Sequence, residues 1–335
     1  MRYVFCVMLW AWPILGLAQE WEDERLFEGG HAARTLRVLS STDTSFFEPV
    51  IDAFVRQNPD VSVAYYVNGT ARINEIFREA PEAFDVVISS AMDLQLKLVN
   101  DGMAQRVPNM SQPDWAQWRE SLFAFTTEPA TIVMNRTAFP DGDMPGTRQE
   151  LIQALRARPD VFRGRVGTYD VRQSGLGYLF ATQDARASET YWRLMEIMGG
   201  LDAQLYCCSG DMIDDLVTGD LLVAYNVLGS YAAARVDVAQ VLEIVSPSDF
   251  PTTMMRTAFV SADTNVQKDA EAFVRHLLAL QTGPGDPDVF PLPSLQGSAD
   301  AAGQPVISLE PALMTYLDPL KRRTFIKEWS SAVIQ

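Results

Sequence analysis

Short apolar runs alternate along this chain with small polar loops and amphipathic helical stretches. The first unit opens on residues 35–41 (TLRVLSS), passes through Ser40, Ser41, Thr42 and Asp43, and predicts a helix starting near Ser45. Ser45 and Glu48 have capping-box spacing, Pro49 is tolerated only near a helix start, and Phe46, Val50 and Phe54 share one face. The second unit is a strand over 61–67, the loop Asn68-Gly69-Thr70, and a helix carrying Ile73, Ile76 and Phe77. The third is a strand over 84–89, then Ser90 and Ala91, then a helix to Asn100, with Ser90 and Asp93 at capping spacing. Strand–loop–helix repetition of this kind predicts an α/β lobe with a parallel sheet.

Residues 123–135 read as extended chain broken by Pro129, a crossing out of that lobe. Thr147 and Glu150 cap a helix that ends before Pro159, and the same grammar restarts with strands over 165–170, 205–210 and 221–225. A second extended, proline-broken stretch covers 244–260, a long amphipathic helix follows over 266–280, and 283–305 reads as a surface loop. The tail 309–334 is helical in character. The expected fold is therefore α/β, with two α/β lobes hinged on two crossing strands. Residues 35–126 and 256–335 are assigned to lobe 1, residues 127–255 to lobe 2, and the charged stretch 19–34 to a loose leader.

The N-terminus changes where such a chain works. Arg2 precedes an apolar run to Leu17, and Gly16 and Ala18 stand before a cut at Gln19. Residues 1–18 thus read as a cleaved signal peptide, too short for a membrane span, and place the protein in the periplasm. The formal charge of −16 argues against nucleic acid as a partner. The two histidines, His31 in the leader and His276 on a helix, read as surface and packing residues. With no nucleophile elbow, P-loop or dinucleotide fingerprint, the chain is not expected to be an enzyme. Once Cys6 leaves with the signal, the adjacent Cys207 and Cys208 remain, as a vicinal disulfide or as two thiols, without metal.

Open α/β sheets bind ligands at the carboxyl ends of their strands. Here those ends carry Ser41, Thr42, Asn68, Gly69, Thr70, Ser89 and Ser90 in the first lobe. The second lobe brings Arg172, Ser174, Cys208, Asn226 and Tyr231. Hydroxyls and free N–H groups at helix starts suit a small polar or anionic solute, and Arg172 could grip a carboxylate or phosphate.

Three stretches, LRVLSSTDTSFFEPVIDAF, FDVVISSAMDLQLKLVNDG and SGDMIDDLVTGDLLVAYNVLGSYA, occur in the order and spacing of a known family. The chain resembles the periplasmic solute-binding proteins of ABC transporters, two-lobed and double-crossing. The branch is that of the iron(III)-binding proteins and the phosphoglycerate-sensing regulatory proteins. The resemblance implies a monomer that captures a solute for an ABC permease, or a sensory subunit that presents its bound form to a membrane histidine kinase. Iron-binding members hold ferric ion with two consecutive tyrosines shortly after an Asn. Here Tyr225 and Tyr231 are six apart, with Val227, Leu228 and Gly229 between them. No resident metal or cofactor is expected, and an organic anion is preferred over iron(III) as the solute.

Overall fold

The computed structural model describes residues 20–140, 142–235, 239–282, 288–295 and 306–334. The expected signal segment 1–18 and most of the expected loop 283–305 lie outside the described residues. The chain opens with β1 (Asp23–Phe27), β2 (Arg34–Ser40), α1 (Thr44–Gln57), β3 (Val61–Val67), α2 (Thr70–Glu79), β4 (Val86–Ser89) and α3 (Met92–Asn100). Residues 23–27 are thus a strand where a loose leader was expected. β1 runs antiparallel along the free edge of β3, with Asp23 opposite Val67. Its side chains are mostly exposed, so the alternation of charges hid a strand that the backbone alone recruits.

After β5 (Gln117–Trp118) comes the long β6 (Leu122–Asn135), buried along nearly its whole length. The second lobe follows as α4 (Arg148–Ala157), α5 (Pro159–Phe162), β7 (Val166–Tyr169), α6 (Gly175–Ala187), α7 (Thr190–Gly200), β8 (Gln204–Tyr206), α8 (Ser209–Thr218), β9 (Val223–Leu228) and α9 (Gly229–Ala233). β10 (Leu242–Val245), β11 (Thr253–Val260) and α10 (Gln267–Thr282) complete the return. Strand order is β1-β3-β2-β4-β11-β6-β9-β7-β8. β2 pairs in parallel with β3 and β4, and β7 in parallel with β8 and β9. The splice between the two parallel sets is β6, whose first half pairs with β11 and whose second half pairs with β9 and β10.

Apolar faces close each lobe. Leu36, Val38, Phe47, Ile51 and Phe54 pack with Phe273 and Leu277 of α10. His276 packs there too, its Nε2 3.0 Å from the Val50 carbonyl, and burial lowers its pKa. In the second lobe Ile132, Leu151, Phe162, Leu194 and Met198 enclose Phe325 and Trp329 of the C-terminal helix Pro319–Val333. Although Pro311–Leu317 just before it lies against α3 of the first lobe, that helix lies on α7, so residues 319–333 pack with the second lobe rather than the first. The reason is its apolar stripe: Phe325, Trp329 and Val333 recur at helical spacing and find the exposed side of α7.

Local rules hold in one helix and fail in another. Thr147 caps α4, accepting from the Glu150 N–H at 3.1 Å. The capping box expected at Ser45 and Glu48 does not form: α1 starts at Thr44, and Glu48 pairs instead with Arg25 of β1 at 2.6 Å. The two segments became neighbours only when β1 docked.

Candidate solute-binding cavity

A cavity of about 320 Å³ lies between the lobes, where strand ends from both sheets meet. Ser41, Asn68, Gly69, Thr70 and Ser90 line it from the first lobe, and Ser174, Cys208 and Tyr231 from the second, as the strand-end reading expected. The lobes touch beside it. Thr70 Oγ1, at the start of α2, accepts from the Leu176 N–H of α6 at 3.0 Å. Gly175 makes this approach possible: a Cβ there would stand 2.8 Å from Leu94 Cδ1 and 3.2 Å from the Ala71 backbone nitrogen.

Four expected residues sit elsewhere. Thr42 is fully buried behind the wall, its Oγ1 accepting from Arg256 at 2.5 Å. Ser89 is buried too and accepts from the Ala91 N–H at 3.2 Å. Asn226 adopts φ 64° and donates to Asp184 inside the second lobe at 2.9 Å. Arg172 is 43% exposed and folds back on Asp170, with contacts of 2.8 and 2.6 Å. Burial pushes Asp170 up, but the hydrogen bonds from the Arg172 side chain and backbone outweigh it and hold the carboxyl below its ordinary value. A partner two residues away in the same loop satisfied the guanidinium before any ligand could. The anion grip assigned to Arg172 is therefore not part of the cavity.

The wall also holds residues that strand-end logic missed. Arg256 of β11 lines it, fully buried, with Nε and Nη2 on Glu128 Oε1 at 3.0 and 2.8 Å. Ser230 donates to the other oxygen of Glu128. An arginine and a glutamate, the sole charged residues of two buried strands, were the available signal, because a buried charge needs a partner. Glu22, Asp43 and Asp211 bring three further carboxylates to the wall. Burial raises the pKa of each, and neighbouring carboxylates raise it further: Asp43 and Asp211 for Glu22, Asp211 and Asp23 for Asp43, Asp214 and Asp215 for Asp211. Arg256 and a hydrogen bond from Tyr231 partly offset the shift at Asp43.

Cys207 and Cys208 are joined as a vicinal disulfide, one of the two arrangements the sequence left open. Both line the cavity, and Cys208 is the N-cap of α8. Tyr225 is fully buried, donating to Asp184 and accepting from Arg148, each at 2.6 Å. It is thus turned away from the cavity, whereas Tyr169 and Tyr231 face it.

Neither a protein-family model nor a curated protein matches the chain. Solved structures do. The substrate-binding protein of an ABC transporter from Agrobacterium tumefaciens is 29% identical, with a TM-score of 0.85 over 93% of this chain and 98% of that one. This chain has the fold of the type II periplasmic binding proteins. The periplasmic binding protein AfuA from Actinobacillus pleuropneumoniae, with fructose-6-phosphate bound, is 15% identical with a TM-score of 0.71, covering 90% and 99% of the two chains. Iron-bound HitA from Pseudomonas aeruginosa is 13% identical with a TM-score of 0.65, covering 89% and 99%. Periplasmic binding proteins that share this fold thus carry chemically different cargo. Among the described residues, no helix is long and apolar enough to cross a membrane.

Proposed function

We infer that the protein is the extracytoplasmic solute-binding component of an ABC importer and captures a small polar solute between its lobes. The observation that carries this reading is the interlobe cavity, at which strand ends and helix starts of both sheets converge. Likeness to an ABC-transporter substrate-binding protein over nearly the whole of both chains supports it. In this reading residues 1–18 direct secretion, the mature chain works as a periplasmic monomer, and it binds without catalysis. Ser41, Asn68, Gly69, Thr70 and Ser90 hold the solute from one lobe and Ser174, Cys208 and Tyr231 from the other. Thr42 and Ser89 act from beneath, by fixing Arg256 and the start of α3.

The test is to purify the protein from the periplasm, release any bound molecule by denaturation and identify it by mass spectrometry. Calorimetry should then show that molecule binding one-to-one, with affinity reduced at least tenfold by Tyr231→Ala. An unchanged affinity would remove the cavity as the binding site.

A further inference from the structure

Taking the cavity as the solute site, we propose that its solute is a small organic cation carrying one or more protonated amines. The site stands on the cavity and its converging strand ends; the carboxylates decide the sign of what enters.

Arg256 is the one cation on the wall among the described residues, and Glu128 neutralises it. Arg172 is committed to Asp170, and Arg235 of the neighbouring groove is held by Asp214. Glu22, Asp43 and Asp211 therefore face the cavity without an ion-pair partner of their own, Arg256 acting on Asp43 only in part. Asp43 adds a separate observation. It occupies the N-cap of α1, yet its side chain caps nothing. An aspartate there ordinarily accepts from its own helix. This one reaches across the cleft, where a Cβ on Gly210 would stand 3.9 Å from Oδ2.

Three carboxylates on one wall, Asp43 half-buried and Glu22 and Asp211 still open to water, repel an anionic solute. A neutral polyol could donate hydrogen bonds to them but would leave their charge uncompensated once the lobes exclude water. A single metal ion is poorly served as well. Among the described residues, the His, Cys, Asp and Glu side chains that bring three ligand atoms within 4.8 Å of one another are Cys207, Cys208 and Asp211, and the cysteines are tied as a disulfide. Glu22, Asp43 and Asp211 are thus too dispersed to chelate one ion together. Dispersed carboxylates interleaved with Ser, Thr and Asn suit an extended molecule with ammonium groups and hydrogen-bonding positions between them. The raised carboxyl pKa values agree, since each proton retained is charge that a bound cation would displace.

Thermal melting of the purified protein at pH 8 and constant ionic strength tests this. The probes are 1,4-diaminobutane, spermidine and glucosamine against citrate, 3-phosphoglycerate, glucose and ferric ion. At least one amine should raise the melting temperature by roughly 4 °C at saturating concentration. The Asp43→Asn/Asp211→Asn variant should lose that response. Without any probe it should melt higher than the parent, because mutual repulsion in the empty cavity is relieved. A lower melting point for the variant would make the carboxylates structural and overturn the inference. So would stabilisation by an anion, glucose or ferric ion with none by an amine. If Tyr231→Ala abolished that other response, the cavity would remain the solute site and only its sign would be wrong. Silence with every probe and with a small-molecule cell extract would remove both readings.

Discussion

Arg256 and Glu128 are both fully buried, and each is the other's only opposite charge in the ion pairs of the described residues. Removing one partner strands the other in a medium that solvates it poorly. Arg256→Met should cost about 3–5 kcal/mol in urea unfolding, and Arg256→Met/Glu128→Leu should recover much of it. Arg172→Ala should do almost nothing to either stability or solute affinity in calorimetry, because its ion pair is local and solvent-exposed on the arginine side. Asp93 contributes to the pH dependence in the same direction as Glu22, Asp43 and Asp211. It is buried in α3, and burial pushes its pKa from 3.8 to about 7. Folded protein therefore keeps a proton that unfolded protein loses between these values, so stability falls as pH rises through that window and levels off above it. Asp93→Asn should flatten this limb and be the more stable form at pH 8, as measured by chemical denaturation at several pH values.

Elements were legible where the pattern within a segment was sufficient. The apolar runs of β2, β3 and β4, and the Thr147 cap of α4, depend on neighbours close in sequence. β1 and the absent capping box in α1 depend on each other across the fold, through Arg25 and Glu48. Thr147→Ala should therefore cost about 1 kcal/mol, while Ser45→Ala stays within experimental error of the parent. The same division runs through the cavity. Ser41, Asn68, Thr70 and Ser174 could be read from strand ends, but Glu22, Asp43 and Arg256 could not. Their significance lies in what faces them from segments distant in sequence, and a leader glutamate, a loop aspartate or a strand arginine carries no local mark of that.

The whole molecule is closed around its cavity by contact between α2, α3 and α6, with Gly175 at the tightest point. Gly175→Leu should prop the lobes apart. Small-angle scattering would then give a larger radius of gyration that addition of solute fails to reduce, whereas the parent contracts or stays compact. Should the variant scatter like the parent, closure would not depend on that approach. Trp329 and Phe325 bind the C-terminal helix to α7 within one lobe, while Pro311–Leu317 just before it packs on α3 of the other.

Glu128 and Arg256 lie on β6 and β11, the two antiparallel strands through which the chain passes between lobes. β11 shifts register between Arg256 and Thr257, and β6 shifts against β9 between Thr131 and Ile132. These irregularities bracket the ion pair, and such bulges are places where strands bend most readily. A door swings least at its pin. Were the lobes to rotate about these bulges, the guanidinium and carboxylate would stay in register while the far walls swept through a longer arc. The pair would then work as an axle with the same electrostatic fit whether the cleft gapes or shuts, and the energy difference between those two states would be left to the solute and the outer rim.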